Sequence, residues 1–300
     1  MTQWSIPEQV SSGDCDRAVT TMSSNNLALA ETRKGSVVYA TWMENFCDSE
    51  ADNATNEKSQ RLLWRKKTSS RNRWNRIQEL VNHGEEANTP KLVALPRGSL
   101  SLVWRDGRND LDDPSKQELY FMESDDDGTT WGKEERLTPN RVICLPNMSV
   151  SEVELQGRRQ KAIHLAYEDY SSPNNRSKVH YLSKVTGDWP TSAITVSGDL
   201  SVGEGAPFVL TGPEYHDVYV TYASHSYGGH NWEAMAREVG GLGSVMDLGT
   251  WEDIERVTDD PGDVRFPTSA IQGQYIHLVW ADDRYDEGEY QDSADIYPTG

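Results

Sequence analysis

The chain has 300 residues, is 36% hydrophobic, and carries 48 acidic against 29 basic side chains, for a net charge of −19. That length admits one large repeat domain or two ordinary ones, and so acidic a surface repels phosphate backbones and argues against nucleic acid as a partner. No stretch approaches the roughly 20 apolar residues that span a bilayer, so membrane insertion is not expected.

In chain order, the residues read as one repeating series of short strands. A weak strand at residues 26–30 leads through Lys34-Gly35 into Val37-Val38-Tyr39-Ala40-Thr41-Trp42. A third run follows at 61–64, and a fourth opens on Trp74 and ends at Leu80. The second-strand pattern returns as Leu100 to Trp104, Ile163 to Tyr167, Val218 to Tyr222 and Ile276 to Trp280. Its aromatic anchors are 62, 63, 55 and 58 residues apart. Third strands are expected at 118–122, 178–182, 233–237 and 294–297, and weaker first strands at 90–95, 149–155, 207–210 and 267–271, three of which open on Pro. Turns with Gly separate them, and no window keeps a helical period.

The Trp-led fourth strand recurs from Trp131, Trp189 and Trp251, each followed about six residues later by Leu or Val. It occurs once more, out of order, at Trp4-Ser5-Ile6-Pro7-Glu8-Gln9-Val10. The last repeat ends without its own Trp strand, and this N-terminal copy would complete it. The expected fold is therefore all-β, a propeller of four-stranded antiparallel blades in a single domain over 1–300. The blades fall at about 11–82, 83–139, 140–198, 199–259 and 260–300 plus 2–10, five closed by the N-terminal strand, or six if the chain is a piece of a larger ring.

One turn carries a recognisable motif. Ser124-Asp125-Asp126-Asp127-Gly128-Thr129-Thr130-Trp131 reads Ser-x-Asp-x-Gly-x-Thr-Trp between two strands. Asp126 is expected to accept backbone N–H groups two residues on, and Gly128 to take a conformation that a Cβ would penalise. Trp131 would anchor the next strand in an apolar layer. This turn resembles the Asp-box, or BNR repeat, of the sialidase-like β-propellers. The other repeats keep the Trp but not the motif, as in Lys67-Thr68-Ser69-Ser70-Arg71-Asn72-Arg73-Trp74.

In such a blade the Asp-box lies at the opposite end from the loops joining strands two and three. Those loops are the long ones, so function is sought there. Asp106 and Arg108 leave the second repeat there, Glu168-Asp169-Tyr170 the third, Ser224 to Tyr227 the fourth, and Asp282-Asp283-Arg284 the fifth. Carboxylates, guanidinium groups and aromatics together suit sugars. The expected partner is thus a glycan or glycoconjugate, and the expected location extracellular or surface, although Met1-Thr2-Gln3-Trp4-Ser5 shows no signal peptide and the cytoplasm stays open.

The resemblance implies more specific roles. Sialidases open a blade with Arg-Ile-Pro, and here Arg265-Phe266-Pro267 precedes Asp282-Asp283-Arg284. Arg265 and Arg284 would clasp a substrate carboxylate, with Asp282, Asp106, Arg108 and Asp169 as further binding candidates. Asp286 or Asp292 would be the acid–base, and Tyr227 and Glu44 are available for the Tyr–Glu nucleophile pair. Because Trp104-x-Asp106-x-Arg108 repeats as Trp280-x-Asp282-x-Arg284, the pattern is also repeat consensus. Three readings follow: a glycan-binding propeller, an exo-glycosidase acting on acidic sugars, and a non-enzymatic surface scaffold.

No cofactor motif is present. The acidic loop 282–295 offers carboxylates to calcium but lacks the spacing of a known calcium loop. His164 and His277 hold matched strand positions and are expected in the core. Cys15, Cys47 and Cys144 have no metal-binding spacing, and Cys15 and Cys47 either pair or, like Cys144, are isolated thiols. Asn53, Asn147 and Asn175 open glycosylation sequons. The oligomeric state is not readable.

Overall fold

The computed structural model describes residues 10, 26–32, 35–45, 60–70, 72–81, 87–95, 98–109, 116–155, 157–171, 176–198, 203–212, 217–225, 232–240, 245–259, 262–272, 275–282 and 295–298. The architecture is all-β, in consecutive antiparallel meander sheets of the propeller-blade type, as the repeat predicts. The first sheet runs β1 (Asn26–Thr32), β2 (Gly35–Asn45), β3 (Gln60–Thr68), β4 (Arg73–Trp74), with β5 (Gln78–Val81) also on β3. The second orders β6 (Ala87–Leu95), β7 (Ser99–Asp106), β8 (Glu118–Ser124) and β9 (Glu135–Arg136). The third orders β10 (Ile143–Leu155), β11 (Arg158–Asp169), β12 (Lys178–Lys184) and β13 (Ile194–Thr195). The fourth has β14 (Glu204–Thr211), β15 (Asp217–Ser224), β16 (Glu233–Gly240) and β17 (Glu255–Arg256). The fifth has β18 (Val264–Gln272), β19 (Tyr275–Asp282) and β20 (Asp295–Pro298). Of the N-terminal strand expected over residues 2–10, only Val10 falls among the described residues.

The chain divides into two compact units, Met1–Ser115 with Tyr120–Arg136, and Lys116–Leu119 with Leu137–Gly300. In the first unit one face of the first sheet, with Tyr39, Leu62 and Trp64, packs on Leu92, Leu100, Leu102 and Trp104 of the second. The other face, with Ala40, Trp42 and Leu63, is covered by Val10, Trp74 and Ile77. In the second unit Ala166, Val179 and Tyr181 of the third sheet meet Val209, Val220, Tyr222 and Met235 of the fourth. Ala234 of the fourth in turn meets Val264, Leu278 and Trp280 of the fifth. Polar ties reinforce these seams. Asn147 Oδ1 accepts the Val209 N–H at 3.0 Å, and the Thr221 and Ser269 hydroxyls lie 3.0 Å apart. Asn147 is thereby buried, so its sequon is not a surface site; Asn53 and Asn175 lie outside the described residues.

The outer strands differ from expectation. Trp131, Trp189 and Trp251 are not ladder residues; each precedes a two-residue strand by a few positions. The rings of Trp131 and Trp251 pack on the preceding sheet, whereas Lys184 Nζ of its own sheet lies 5.8 Å over the Trp189 ring. Trp131 meets Trp64 edge-on at 5.9 Å, and Trp251 meets Tyr181 edge-on at 5.2 Å. A hydroxyl clip then extends each short strand. Thr138, Ser197 and Thr258 accept the N–H of Leu119, Val179 and Ala234 at 2.8, 3.0 and 2.9 Å. The residue before each clip, Leu137, Val196 or Val257, donates to the carbonyl of that same partner. In the third sheet it is Val196, not Thr195, that fills the apolar position of the Trp-led pattern.

The Asp-box folds as a closed turn. Asp126 accepts Thr130 N–H at 2.8 Å and Thr130 Oγ1–H at 2.7 Å, and Gly128 N–H donates to Ser124 Oγ at 3.0 Å. The acceptor thus reaches four residues on, not two, because Asp127 (φ 64) and Gly128 (φ 72) both turn left-handed and bring Thr130 back. Asp127 N–H donates to Gly98 O at 2.9 Å, which puts the box at the same sheet end as the β6–β7 turn. The box also reaches the first sheet: Tyr39 OH donates to Asp127, and Lys66 Nζ lies 2.7 Å from Asp127 O and 2.5 Å from its carboxylate.

Candidate functional site

Near its start, the first strand of four sheets carries one repeated device. A non-glycine residue with positive φ stands before a proline: Thr89 (φ 50), Leu145 (φ 41), Ala206 (φ 49) and Phe266 (φ 50). At each the register slips, between Asn88 and Lys91, Cys144 and Asn147, Gly205 and Phe208, and Arg265 and Thr268. A bulge sets two residues against one and breaks the alternation of faces. At each, the positive-φ residue and its proline stand against one residue of the second strand, Trp104, Tyr167, Tyr222 or Trp280. The Arg-Phe-Pro segment is therefore the fourth instance of a blade feature whose backbone is common and whose side chains differ.

In the Met1–Ser115 and Tyr120–Arg136 unit, the candidates are engaged with their own sheets. Asp106, 1% exposed, accepts Trp104 Nε1–H at 3.0 Å and Arg108 N–H at 3.0 Å, and pairs with the Arg108 guanidinium. Arg108 also reaches Glu134 at 2.5 Å and lies over the Tyr120 ring at 4.3 Å. Burial disfavours the Arg108 charge, but Asp106 and Glu134 outweigh it and hold the guanidinium more firmly protonated than usual. Glu44 is bridged by Arg61 at 2.7 Å, which also reaches Glu79 at 3.2 Å.

The Lys116–Leu119 and Leu137–Gly300 unit offers a longer polar strip. Asp169, a binding candidate, is 4% exposed; it accepts Ser171 N–H at 2.7 Å and faces Arg141 at 3.2 Å and His180 at 3.7 Å. Its neighbour Glu168 lies directly on Gly205 of the next sheet: a Cβ there would stand 2.3 Å from Glu168 Oε1. Tyr170 hydrogen-bonds Glu168, and burial first, then that carboxylate, pushes the phenol above its ordinary range. Ser177 O and Oγ both accept the Glu204 N–H, at 3.2 Å each. Burial raises the Glu204 carboxyl although Lys178 Nζ lies 3.3 Å away.

Beyond Glu204, Trp232 Cη2 stands 3.3 Å from where a Cβ on Gly203 would be, and His225 meets the Trp232 ring at 5.7 Å. Trp232 N–H donates to Asp263 Oδ1 at 2.9 Å, and Asp263 lies 3.9 Å from Arg265. The Arg265 side chain is 56% exposed. Neighbouring contacts thus link Tyr170 and Glu168 through Ser177, Gly203, Trp232 and Asp263 to Arg265.

Arg284, Asp286, Asp292 and Tyr227 lie outside the described residues, as does the Asp282 side chain; Asp282 itself pairs with Val264 at the end of β19. Among the described residues, no group of three or more His, Cys, Asp or Glu side chains is placed to hold a metal ion, and no helix is long and apolar enough to cross a membrane. His164 is fully buried, with Nδ1 2.6 Å from Tyr181 OH, whereas His277 is exposed, because the face of β19 that carries it is open. Trp232, Asp263 and Gly205 were not singled out by the sequence. The available signal for Gly205 was its place before Ala206-Pro207, matching Arg265 before Phe266-Pro267.

The sequence matches no family model, and no curated protein matches it. Similar solved structures include an exo-1,5-α-L-arabinanase from a bovine ruminal metagenomic library, 9% identical over 91% of each chain, with a TM-score of 0.45. An endo-arabinase from Bacteroides thetaiotaomicron VPI-5482 is 12% identical over 94% of each chain, with a TM-score of 0.47. A Trypanosoma rangeli sialidase bound to the inhibitor DANA is 11% identical over 91% of this chain and 46% of that one, with a TM-score of 0.46. The fold class stands on the sheets themselves.

Proposed function

We propose that the protein binds glycans at the sheet ends where the second strands finish, and that it recognises a sugar carboxylate. The observation that carries this reading is Arg265, a guanidinium more than half exposed and held only at 3.9 Å by Asp263. It ends a strip of hydroxyl, carboxylate and indole groups. Arginine in the open presents a planar fork suited to a carboxylate, and indole and phenol rings offer faces to a pyranose. By contrast, Asp106, Arg108, Glu44 and Asp169 already have partners in their own sheets, and their role in this reading is to hold the ends rigid. In this reading Arg284 would join Arg265 in the clasp, with Asp282 as a further binding residue.

A second reading, an exo-glycosidase on acidic sugars, is favoured by one contact. Tyr170 hydrogen-bonds Glu168, the pairing a tyrosine nucleophile with a carboxylate base requires, although burial and that carboxylate keep the proton on the phenol here. In that reading Asp286 or Asp292 supplies the acid–base, and Tyr170 with Glu168 stands where Tyr227 with Glu44 was expected. A fluorogenic sialoside separates the two readings. Turnover that is lost in Tyr170→Phe supports hydrolysis; retained glycan binding without turnover leaves a binding protein. A glycan array on which nothing binds would leave the scaffold reading and reject both.

A further inference from the structure

The four proline bulges share a backbone but not an occupant. Thr89, Leu145 and Ala206 are half-buried where they stand. Phe266, at the same φ, is 66% exposed. A bulky residue at positive φ is a strained choice, and an aromatic ring left in water forgoes the burial that would justify its size. The common backbone accounts for the strain, but not for a phenyl ring in solvent. Beside it stands Arg265, also exposed, the last residue in register before the slip and paired with Ala281. Val264 before them and Pro267 after them are buried and fix the pair on the sheet.

We propose that Phe266 is a stacking platform for the apolar face of a sugar ring whose carboxylate Arg265 holds. The ligand class is a pyranose bearing a carboxylate, of the sialic or uronic acid kind. A flat apolar face beside a cation matches such a ring, which has C–H groups on one face and an anion at its edge. The inference rests on the glycan-binding reading and adds to it the residue that selects ring over chain. The bulge supplies the rigidity: proline fixes its own φ and restricts its neighbour, so the pair is held out before any ligand arrives.

The test uses the full chain, titrated with sialyllactose, with a glucuronate-terminated oligosaccharide and with neutral lactose. Three variants are compared with the parent: Phe266→Leu, Phe266→Trp and Arg265→Ala. Leucine already occupies this bulge at Leu145, so the backbone tolerates it, and melting curves check folding. Phe266→Leu should weaken binding of the acidic sugars about tenfold or more, Phe266→Trp should keep it, and Arg265→Ala should remove the preference over lactose. Parent-like affinity in Phe266→Leu with loss in Arg265→Ala overturns the platform and leaves the carboxylate reading standing. A parent protein that binds neither acidic sugar overturns both.

Discussion

Three glycines share a left-handed backbone and differ in what lies beside them. Gly128, Gly157 and Gly187 have φ of +72°, +72° and +70°. A Cβ on Gly128 would stand 2.1 Å from Cη2 of the buried Trp64, whereas nothing lies within 4 Å at Gly157 or Gly187. Alanine at 157 or 187 should cost about 1 kcal/mol, from backbone strain alone. Alanine at 128 should cost about 3 kcal/mol, because strain adds to overpacking against a ring with nowhere to go. Denaturant unfolding of the three variants checks the difference. Near-equal losses would mean that Trp64 yields.

Asp126 supplies a pH-dependent part of the same turn. Its carboxylate is held down from 3.8 to about 2, first by the Thr130 backbone N–H and then by the Thr130 hydroxyl. The folded-state value lies below the unfolded one, so the contribution is full above pH 4 or so and fades as pH falls towards 2. Asp126→Asn should melt below the parent at neutral pH, and the gap should close on acidification. A gap that persists at about pH 2 would assign the loss to shape rather than charge. The turn was legible in the sequence because Gly and Asp have few competing uses at such a spacing. The partner of Asp126 was not, since it depends on two successive left-handed residues, one of them Asp127, which carries no glycine signal. The contacts of Asp127 with Tyr39 and Lys66 were equally hidden: sequence distance says nothing of which sheet lies beneath a turn.

At the scale of strands, the repeated hydroxyls matter more than the ladder. β9, β13 and β17 have two residues each. Thr138, Ser197 and Thr258 continue them by accepting a buried N–H from the third strand. Valine keeps the shape of threonine but removes that acceptor. Thr138→Val and Thr258→Val should each lose about 1 to 3 kcal/mol, the range for an amide left buried and unpaired. Losses near zero in thermal melts would show water taking the place of the hydroxyl. These residues sat one position past the Leu or Val of the Trp-led pattern, in plain view. Hydrophobic spacing does not reveal them, because the clip is polar. The Trp spacing marks apolar anchors, but the indoles of Trp131 and Trp251 serve the seam between sheets rather than the strand they introduce. The proline bulges had the opposite fate: proline at the start of a strand is a visible signal, while the positive φ before it is not, because the residues there, Thr89, Leu145, Ala206 and Phe266, share no chemistry.

Over the whole chain, period and alternation carried the fold class. Loop lengths direct attention to the ends where second strands finish, and the candidate residues are read from there. Which of those residues remain accessible does not follow from the sequence, since partners such as Glu134 for Arg108, or Arg141 for Asp169, come from segments distant in the chain. What distinguishes Arg265 is the weakness of its ion pair and its exposure, both consequences of packing. The measurement that bears most directly on its role is calorimetric titration of the full chain and of Arg265→Ala with a sialylated oligosaccharide and its neutral counterpart. The parent should prefer the acidic sugar about tenfold or more, and Arg265→Ala should lose that preference while melting at the parent temperature. Equal affinity of the parent for both sugars, or an undiminished preference in Arg265→Ala, would contradict it.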